Sequence, residues 1–377
     1  MRKNFFVFFI IFLLLICAAT SYSDSNLDNT IKIGVIFSKT GNAAVVTGPG
    51  FEAARFAADE INKNGGVLGK KIVIIEYDNK STPLDSKFAA MQAVNDGVAG
   101  VIGCAFSSHS LAVAKVLQDA KIPMISPTAT NVEVTLVGDY IFRVCFVDTF
   151  QGRIASDFAQ KDLNAKTAVV LIDSGSKYST GLAKVFIEKF NHKGKVLWEG
   201  FYQKDITDFS SSLSKIKEIN PDVIFVPGHF RESAYIVKQG RDMGLKTIFI
   251  GADGWVEEMY KYSGEAINGS FYIDQWHNTI DSKENKEFIK NWPDKYGKAN
   301  KSISALTYDA FNVFVNAVNK ARTLDKTAIR SALSQTKDFP GVTGKITFDE
   351  NGDTINKSAV IMKFEKGNAI FQKTITP

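Results

Sequence analysis

A short apolar run, a polar turn and a helix-spaced apolar face alternate from residue 31 onward. That rhythm constrains the fold more than any other feature. Runs of strand character occupy residues 31–37, 71–77, 98–103 and 122–126. Between them, Phe51, Ala54, Ala58 and Ile61, then Leu84, Phe88 and Met91, then Val113, Val116, Leu117 and Ala120 recur at helical spacing. Gly65 and Gly66 follow the first helix as a C-cap, and Pro83 opens the second. The order βαβαβαβ calls for a parallel sheet with helices on both faces. After residues 140–147, which read as a strand, and a crossing at residues 148–152, the alternation restarts. Strands are expected over residues 168–172, 195–201, 223–226 and 247–251, with helices between them. The fold class is therefore α/β, with two doubly wound, Rossmann-like lobes, and a chain of 377 residues suits two domains. Past Tyr272 a helical block (residues 283–291, 302–321 and 326–334) precedes late strands (345–348, 359–364 and 370–375), so the chain is expected to return to each lobe. No Pro/Gly/Ser-rich tether divides the halves, which favours several close crossings.

The chemistry concentrates at Val101-Ile-Gly-Cys-Ala-Phe-Ser107-Ser and its echo Ile122-Pro-Met-Ile-Ser-Pro127-Thr-Ala-Thr130. Each strand ends in small hydroxyl residues. After the first, Ser107 or Ser108 is placed to cap a helix, whose start offers free N–H groups and a positive dipole end to an anion. Both turns lie at the carboxyl edge of the sheet, where open α/β sheets bind ligands. Taken singly, Ser107 reads equally as a cap and Thr130 as a turn residue. In the second half, Tyr178, His229 and Asp253 sit in corresponding loops, and each alone reads as an ordinary loop residue. Together, hydroxyls in one lobe and a carboxylate in the other match the carboxylate and ammonium of an α-amino acid.

Residues 1–23 stand apart. Arg2 and Lys3 precede an apolar run from Phe5 to Ile16, and Ser21-Tyr-Ser23 has small-x-small form before the chain turns polar at Asp24. This is a signal-peptide pattern, cleaved near Ser23, and it predicts a periplasmic protein. Cys17 leaves a lipid-modified N-terminus as an alternative. Acids and bases are interspersed at a formal net charge of +5, so nucleic acid is not an expected partner. Cys104 and Cys145 remain after cleavage, and their pairing is open.

Cofactor and catalytic motifs are missing. Gly48-Pro-Gly50 is not a dinucleotide fingerprint, residues 175–181 lack the order of a phosphate loop, and there is neither a G-x-S-x-G elbow nor H-E-x-x-H. His109, His192, His229 and His277 are scattered, and two cysteines without ligand spacing make no zinc site. No cofactor, no metal and no enzymatic activity are expected.

The chain resembles the periplasmic leucine/isoleucine/valine-binding proteins, the amino-acid receptors of ABC importers. The resemblance rests on Ile31-Lys-Ile-Gly-Val-Ile, Asp59-Glu-Ile-Asn-Lys-Asn-Gly-Gly66, Tyr77-Asp78, Val101-Ile-Gly103, Ser107-Ser108, Met124-Ile-Ser-Pro127-x-Ala-Thr130, Tyr178-x-x-Gly181, Asp208-Phe209-Ser210 and Gly244-Leu-Lys-Thr-x-Phe-x-Gly251, in order across about residues 30–375. It implies a type I bilobal binding protein with three hinge crossings. The expected N-terminal lobe is 24–148 plus 278–345, and the C-terminal lobe 149–277 plus 346–377. By the same resemblance, Ser107, the main chain at Thr128 and Thr130 hold the ligand's carboxylate and ammonium, Tyr178 covers the ligand, and Asp253, usually Glu, binds the ammonium. Val46 stands where the family usually has an aromatic, and His229 where another Tyr is usual, so the side-chain preference departs from the pattern. The implied ligand is an amino acid, aliphatic or branched-chain, and the implied partner is an ABC permease of the inner membrane served by a monomer. A receptor for amides, urea or another small polar solute is the alternative in the same fold, and a ligand-sensing protein is the alternative role.

Overall fold

The computed structural model describes residues 29–377. The expected signal segment and Cys17 lie outside them. Among the described residues, no helix is long and apolar enough to cross a membrane.

The first lobe is built on β1 (Thr30–Phe37), α1 (Pro49–Lys63), β2 (Lys71–Asp78), α2 (Pro83–Asn95), β3 (Gly100–Gly103), α3 (Ser107–Asp119), β4 (Met124–Ser126) and β5 (Ile141–Arg143). Its five strands are parallel in the order β2-β1-β3-β4-β5. Alternation along β1 decides the layers. Ile31, Ile33 and Val35 face one core with Phe51, Ala54 and Ala57 of α1, whereas Ile36 faces the other with α2 and α3. Local chemistry agrees with the boundaries. Thr82 caps α2 by accepting the Asp85 N–H, and Pro83 occupies its first turn. Gly66 adopts φ +76°, where a Cβ would lie 2.1 Å from the Lys70 carbonyl oxygen.

The second lobe comprises α4 (Asp148–Asp157), β6 (Thr167–Asp173), α5 (Lys177–Phe190), β7 (Lys195–Tyr202), α6 (Ser210–Ile219), β8 (Val223–Phe225), α7 (Phe230–Asp242), β9 (Ile248–Gly251) and β10 (Phe271–Asp274). Its sheet runs β10-β9-β8-β6-β7 in parallel. Ala168, Val170 and Ile172 pack under α4 and α5, and Val169 and Leu171 under α6 and α7. The chain then crosses back. Following α8 (Lys283–Asn291), the long α9 (Ser302–Ala321) inserts Leu306, Ala310, Phe311 and Phe314 into the core beneath β1, and α10 (Lys326–Ser334) joins it through Ile329 and Leu333. A hairpin, β11 (Phe339–Gly341) and β12 (Gly344–Ile346), precedes β13 (Ala359–Glu365), which pairs antiparallel with β10, and β14 (Asn368–Ile375), which pairs antiparallel with β13 at the sheet's edge.

Three crossings result. Cys145 belongs to the first core and Phe146 to the second; β10 ends at Asp274 and Trp276 packs with Phe56 and Ala305 of the first lobe; Phe348 lies in the first core and Ala359 in the second. Residues 346–354, expected with the second lobe, stay with the first. Their strand pattern belongs to the hairpin, and Asp353 pairs with Arg143 at 2.6 Å.

Two further expectations are corrected. Leu84, Phe88 and Met91 of α2 are exposed, while Ser86, Ala89, Ala90 and Ala93 are buried. The helix approaches α3 through its small residues, and a larger face would hold the two apart. Residues 140–147 are not one strand, because β5 stops at Arg143 and the first crossing begins. Cys104 and Cys145 are free thiols in the two cores on opposite faces of the first sheet.

Candidate functional site

The two sheets present their carboxyl edges to one cleft, which holds a cavity of about 750 Å³, within the range of small-molecule sites. Val46, Ser107, Thr128, Tyr178, His229 and Asp253 all line it. Thr130 is buried just behind, with its hydroxyl beside the Asp148 carboxyl. Six of the seven residues expected from the sequence therefore line one cavity, and the seventh backs it.

The first-lobe wall comes from α3. Gly103 at φ +134° turns the chain off β3, and a Cβ there would sit 2.3 Å from the Ile36 carbonyl oxygen. The helix then begins at Ser107 with Phe106 in the cap position and no side-chain cap. The expected capping role of Ser107 or Ser108 does not occur. The Ser107 hydroxyl accepts the Asn131 N–H at 3.2 Å, and the Ser108 hydroxyl accepts the Lys177 N–H across the cleft at 3.2 Å. The helix N-terminus therefore stays open beside the cavity, as an anion site needs. Thr128 donates to the Ala105 carbonyl, which joins the two hydroxyl turns. Arg143 holds the second turn from beneath: it is fully buried and donates to the Ala129 and Asn131 carbonyls at 2.7 and 2.8 Å.

The second-lobe wall is aromatic and acidic. Tyr178, in the first turn of α5, accepts the Gly254 N–H through its hydroxyl at 3.0 Å. His229 precedes α7 and is stacked on both sides. Its ring lies 5.2 Å from Tyr178 and 4.0 Å from Phe106 of the opposite lobe. Burial, with the Lys204 charge adding, lowers its pKa to about 4, so it is neutral, and its Nδ1 is buried without a partner. Asp253 follows β9. Burial raises its pKa, and hydrogen bonds from Gln151, Tyr178 and Gln275 oppose that shift.

Sequence reasoning missed Phe106, Asp148, Gln151, Gln275 and Arg143. Asp148 opens α4 within the expected crossing. It is buried beside the Thr130 hydroxyl, and burial followed by the Asp253 charge pushes its pKa up to about 8, with the Thr130 hydroxyl acting against that shift. Arg143 carried a legible signal, as the one charge in the apolar run 140–147. The glutamines carried none, because an amide in a first helical turn or on a connecting segment looks like any other polar residue there.

The lobes touch directly around the cavity. The Asn131 amide donates to the Lys177 carbonyl at 2.6 Å, Asn42 donates to Asp205 at 2.9 Å, and Lys301 pairs with Glu258 at 2.6 Å. This is a closed arrangement of two walls: donors on one side, acceptors and rings on the other. Among the described residues, no group of three or more His, Cys, Asp or Glu side chains could hold a metal ion.

A sequence model described as a periplasmic binding protein matches residues 30–369. The chain belongs to the periplasmic binding protein family. The Leu/Ile/Val-binding protein BraC3 of Rhizobium johnstonii is 30% identical over 90% of this chain and 93% of its own. The branched-chain amino acid transporter substrate-binding protein of Streptococcus pneumoniae, solved with isoleucine, superimposes with a TM-score of 0.87 at 34% identity, covering 92% of this chain and 100% of that one. A solute-binding protein of an ABC transporter from Rhodopseudomonas palustris, solved with 3,4-dihydroxybenzoic acid, reaches 0.81 at 25% identity, covering 92% and 98%. Family members are solute-binding proteins, and one architecture serves both amino acids and aromatic acids.

Proposed function

We propose that this protein is the extracytoplasmic receptor of an ABC importer. It captures an aliphatic or branched-chain L-amino acid between its lobes, as a monomer, and delivers it to an inner-membrane permease. The observation that carries this reading is the buried Asp253 carboxyl on one wall of the cleft. Asp253 faces the cavity, and Asp148 is buried near it beside the Thr130 hydroxyl. Opposite lies the uncapped start of α3 with the Ser107 hydroxyl. An α-amino acid has one anionic and one cationic end and complements both walls. A benzoate-type anion suits the helix end but gives Asp253 nothing to bind, and a neutral amide or urea gives it little. Val46, Phe106 and Phe230 line the remaining space with His229, which favours an apolar side chain. Residues from both lobes complete one site, so ligand favours the closed form by touching both. The N-terminal pattern supports export, with a mature chain beginning near Asp24.

A thermal-shift screen of L-amino acids, acetamide, urea and dihydroxybenzoate tests the reading. A ligand at 100 times its Kd adds roughly 2.7 kcal/mol, which appears as several degrees in a chain of this length. Aliphatic L-amino acids should raise the melting temperature, with Kd near micromolar, or about −8 kcal/mol. A shift with the amides or the aromatic acid and none with any amino acid would overturn it.

A further inference from the structure

Both oxygens of Asp253 are engaged by glutamines. The Gln151 amide nitrogen donates to Oδ1 at 2.9 Å, and that of Gln275 to Oδ2 at 2.6 Å. Both glutamines are buried, at 0% and 3% exposure. Because a carboxylate only accepts, each amide must present its NH₂ group to Asp253, and each Oε1 is left buried without a partner. That arrangement is costly unless the donated bonds matter. The two glutamines also come from separate places in the chain. Gln151 lies in the first turns of α4, directly after the first crossing, and Gln275 lies on the second crossing itself. The acid is thus held from two of the three segments about which the lobes must turn.

We infer that Gln151 and Gln275 are positioning residues that keep the Asp253 carboxylate ionised and aimed at the ligand's ammonium, which rests on the amino-acid reading proposed above. The physical reason is specific to this site. Burial disfavours the charge of Asp253, the acids Asp148 from α4 and Asp274 at the end of β10 stand near it, and the Tyr178 hydroxyl joins the two amides in favouring the charged form. Among the described residues, no Lys or Arg is hydrogen-bonded to it. Hydrogen bonds to the charged form are the remaining means of holding it ionised in a covered cleft. The amides do so without the net charge that a basic residue would bring, and a positive neighbour would repel the ammonium.

The test uses Gln151→Met and Gln275→Met, which keep length and apolar bulk while removing the donor, with Asp253→Asn as control. L-leucine binding is measured by titration calorimetry between pH 4 and 8, beside melting curves of the ligand-free proteins. Each Met variant should lose about ten- to a hundredfold in affinity at neutral pH. The acid limb, where binding fails as Asp253 takes a proton, should move to higher pH. A merely structural role would change melting temperature without moving that limb. An unmoved limb with affinity within threefold of the parent, while Asp253→Asn loses binding, overturns the inference. If Asp253→Asn also binds normally, or the parent ignores L-leucine, the amino-acid reading has failed instead. The unmutated, ligand-free protein then decides, as it does if a variant does not fold. The side-chain NH₂ resonances of Gln151 and Gln275 should exchange slowly and shift as Asp253 titrates. Exchange as fast as that of exposed glutamines overturns the brace.

Discussion

The two walls of the cleft solve opposite problems by different means. The first-lobe wall offers N–H and O–H groups from one helix end and one loop, and the charge that fixes it, Arg143, is spent on the Ala129 and Asn131 carbonyls, the Thr135 hydroxyl and Asp353 beneath. The second-lobe wall offers the Asp253 carboxylate, held by amides from the crossings, and rings beside it. The difference follows from the sign of the partner. Backbone dipoles at a helix start attract an anion without a formal charge, whereas an ammonium in a covered cleft needs a formal negative charge, which must be kept ionised against its own desolvation. The first wall is therefore scaffold-like and insensitive to pH, and the second is poised.

The largest effect should come from removing the support of the first wall. Arg143→Met leaves the Ala129 and Asn131 carbonyls and Asp353 without their donor, and loss of one partner of a buried pair costs about 3–5 kcal/mol. Denaturant unfolding of the ligand-free protein should register it. A loss below about 1 kcal/mol would mean that the loop of Thr130 stands without its buried cation, and the contrast between the walls would collapse.

Asp253→Asn should act on binding instead. Breaking the charged pair with an ammonium costs about 2–5 kcal/mol, or roughly 30-fold to several-thousand-fold in affinity. Folding should be nearly untouched, because the residue lies in a loop at the sheet's edge. Calorimetric affinity within about threefold of the parent removes Asp253 from the site.

The pH response belongs to the second wall. Asp148 has its carboxyl pushed up to about 8 from an ordinary 3.8, by burial first and by Asp253 second. Between those values the folded protein retains a proton that the unfolded chain releases, so more protons are bound in the native state. Its contribution to stability is therefore full below about pH 4 and declines as pH rises toward 8. Ligand-free melting temperatures should fall from pH 6 to pH 8, and Asp148→Asn should flatten that slope. An identical slope in both proteins would assign the response elsewhere.

The smallest effect concerns the contacts that join the walls. Lys301 and Glu258 pair across the cleft with side chains 37% and 15% exposed. Such a pair is worth about 0.2–1 kcal/mol and weakens with salt. Lys301→Gln should shift the ligand-free closed fraction by only about two- to fivefold, which scattering at low ionic strength can follow. A tenfold change would make this pair, rather than the ligand's two ends, the main lock.

Which residues share the cavity was largely legible because each ends a strand, and the carboxyl ends of parallel strands converge on one edge. Val46 was reached only through the family resemblance. The α2 face was misread for a related reason. Leu84, Phe88 and Met91 have helical spacing, but spacing does not say which side of a helix meets a neighbour, and close approach favoured the alanines.

The sequence by itself determined the layers and the order of elements, since periods of two and of 3.6 residues are local properties that survive without the fold. It also determined that both lobes carry their polar residues on loops of one kind. Only the tertiary structure decided that Ser107 leaves α3 uncapped, that Phe106 of one lobe stacks on His229 of the other at 4.0 Å, and that Gln151 and Gln275 converge on Asp253. Those arrangements join residues about a hundred or more positions apart in two cases and twenty-two in the third. Their energies come from excluding water between particular atoms, and no period along a single chain encodes which atoms will meet.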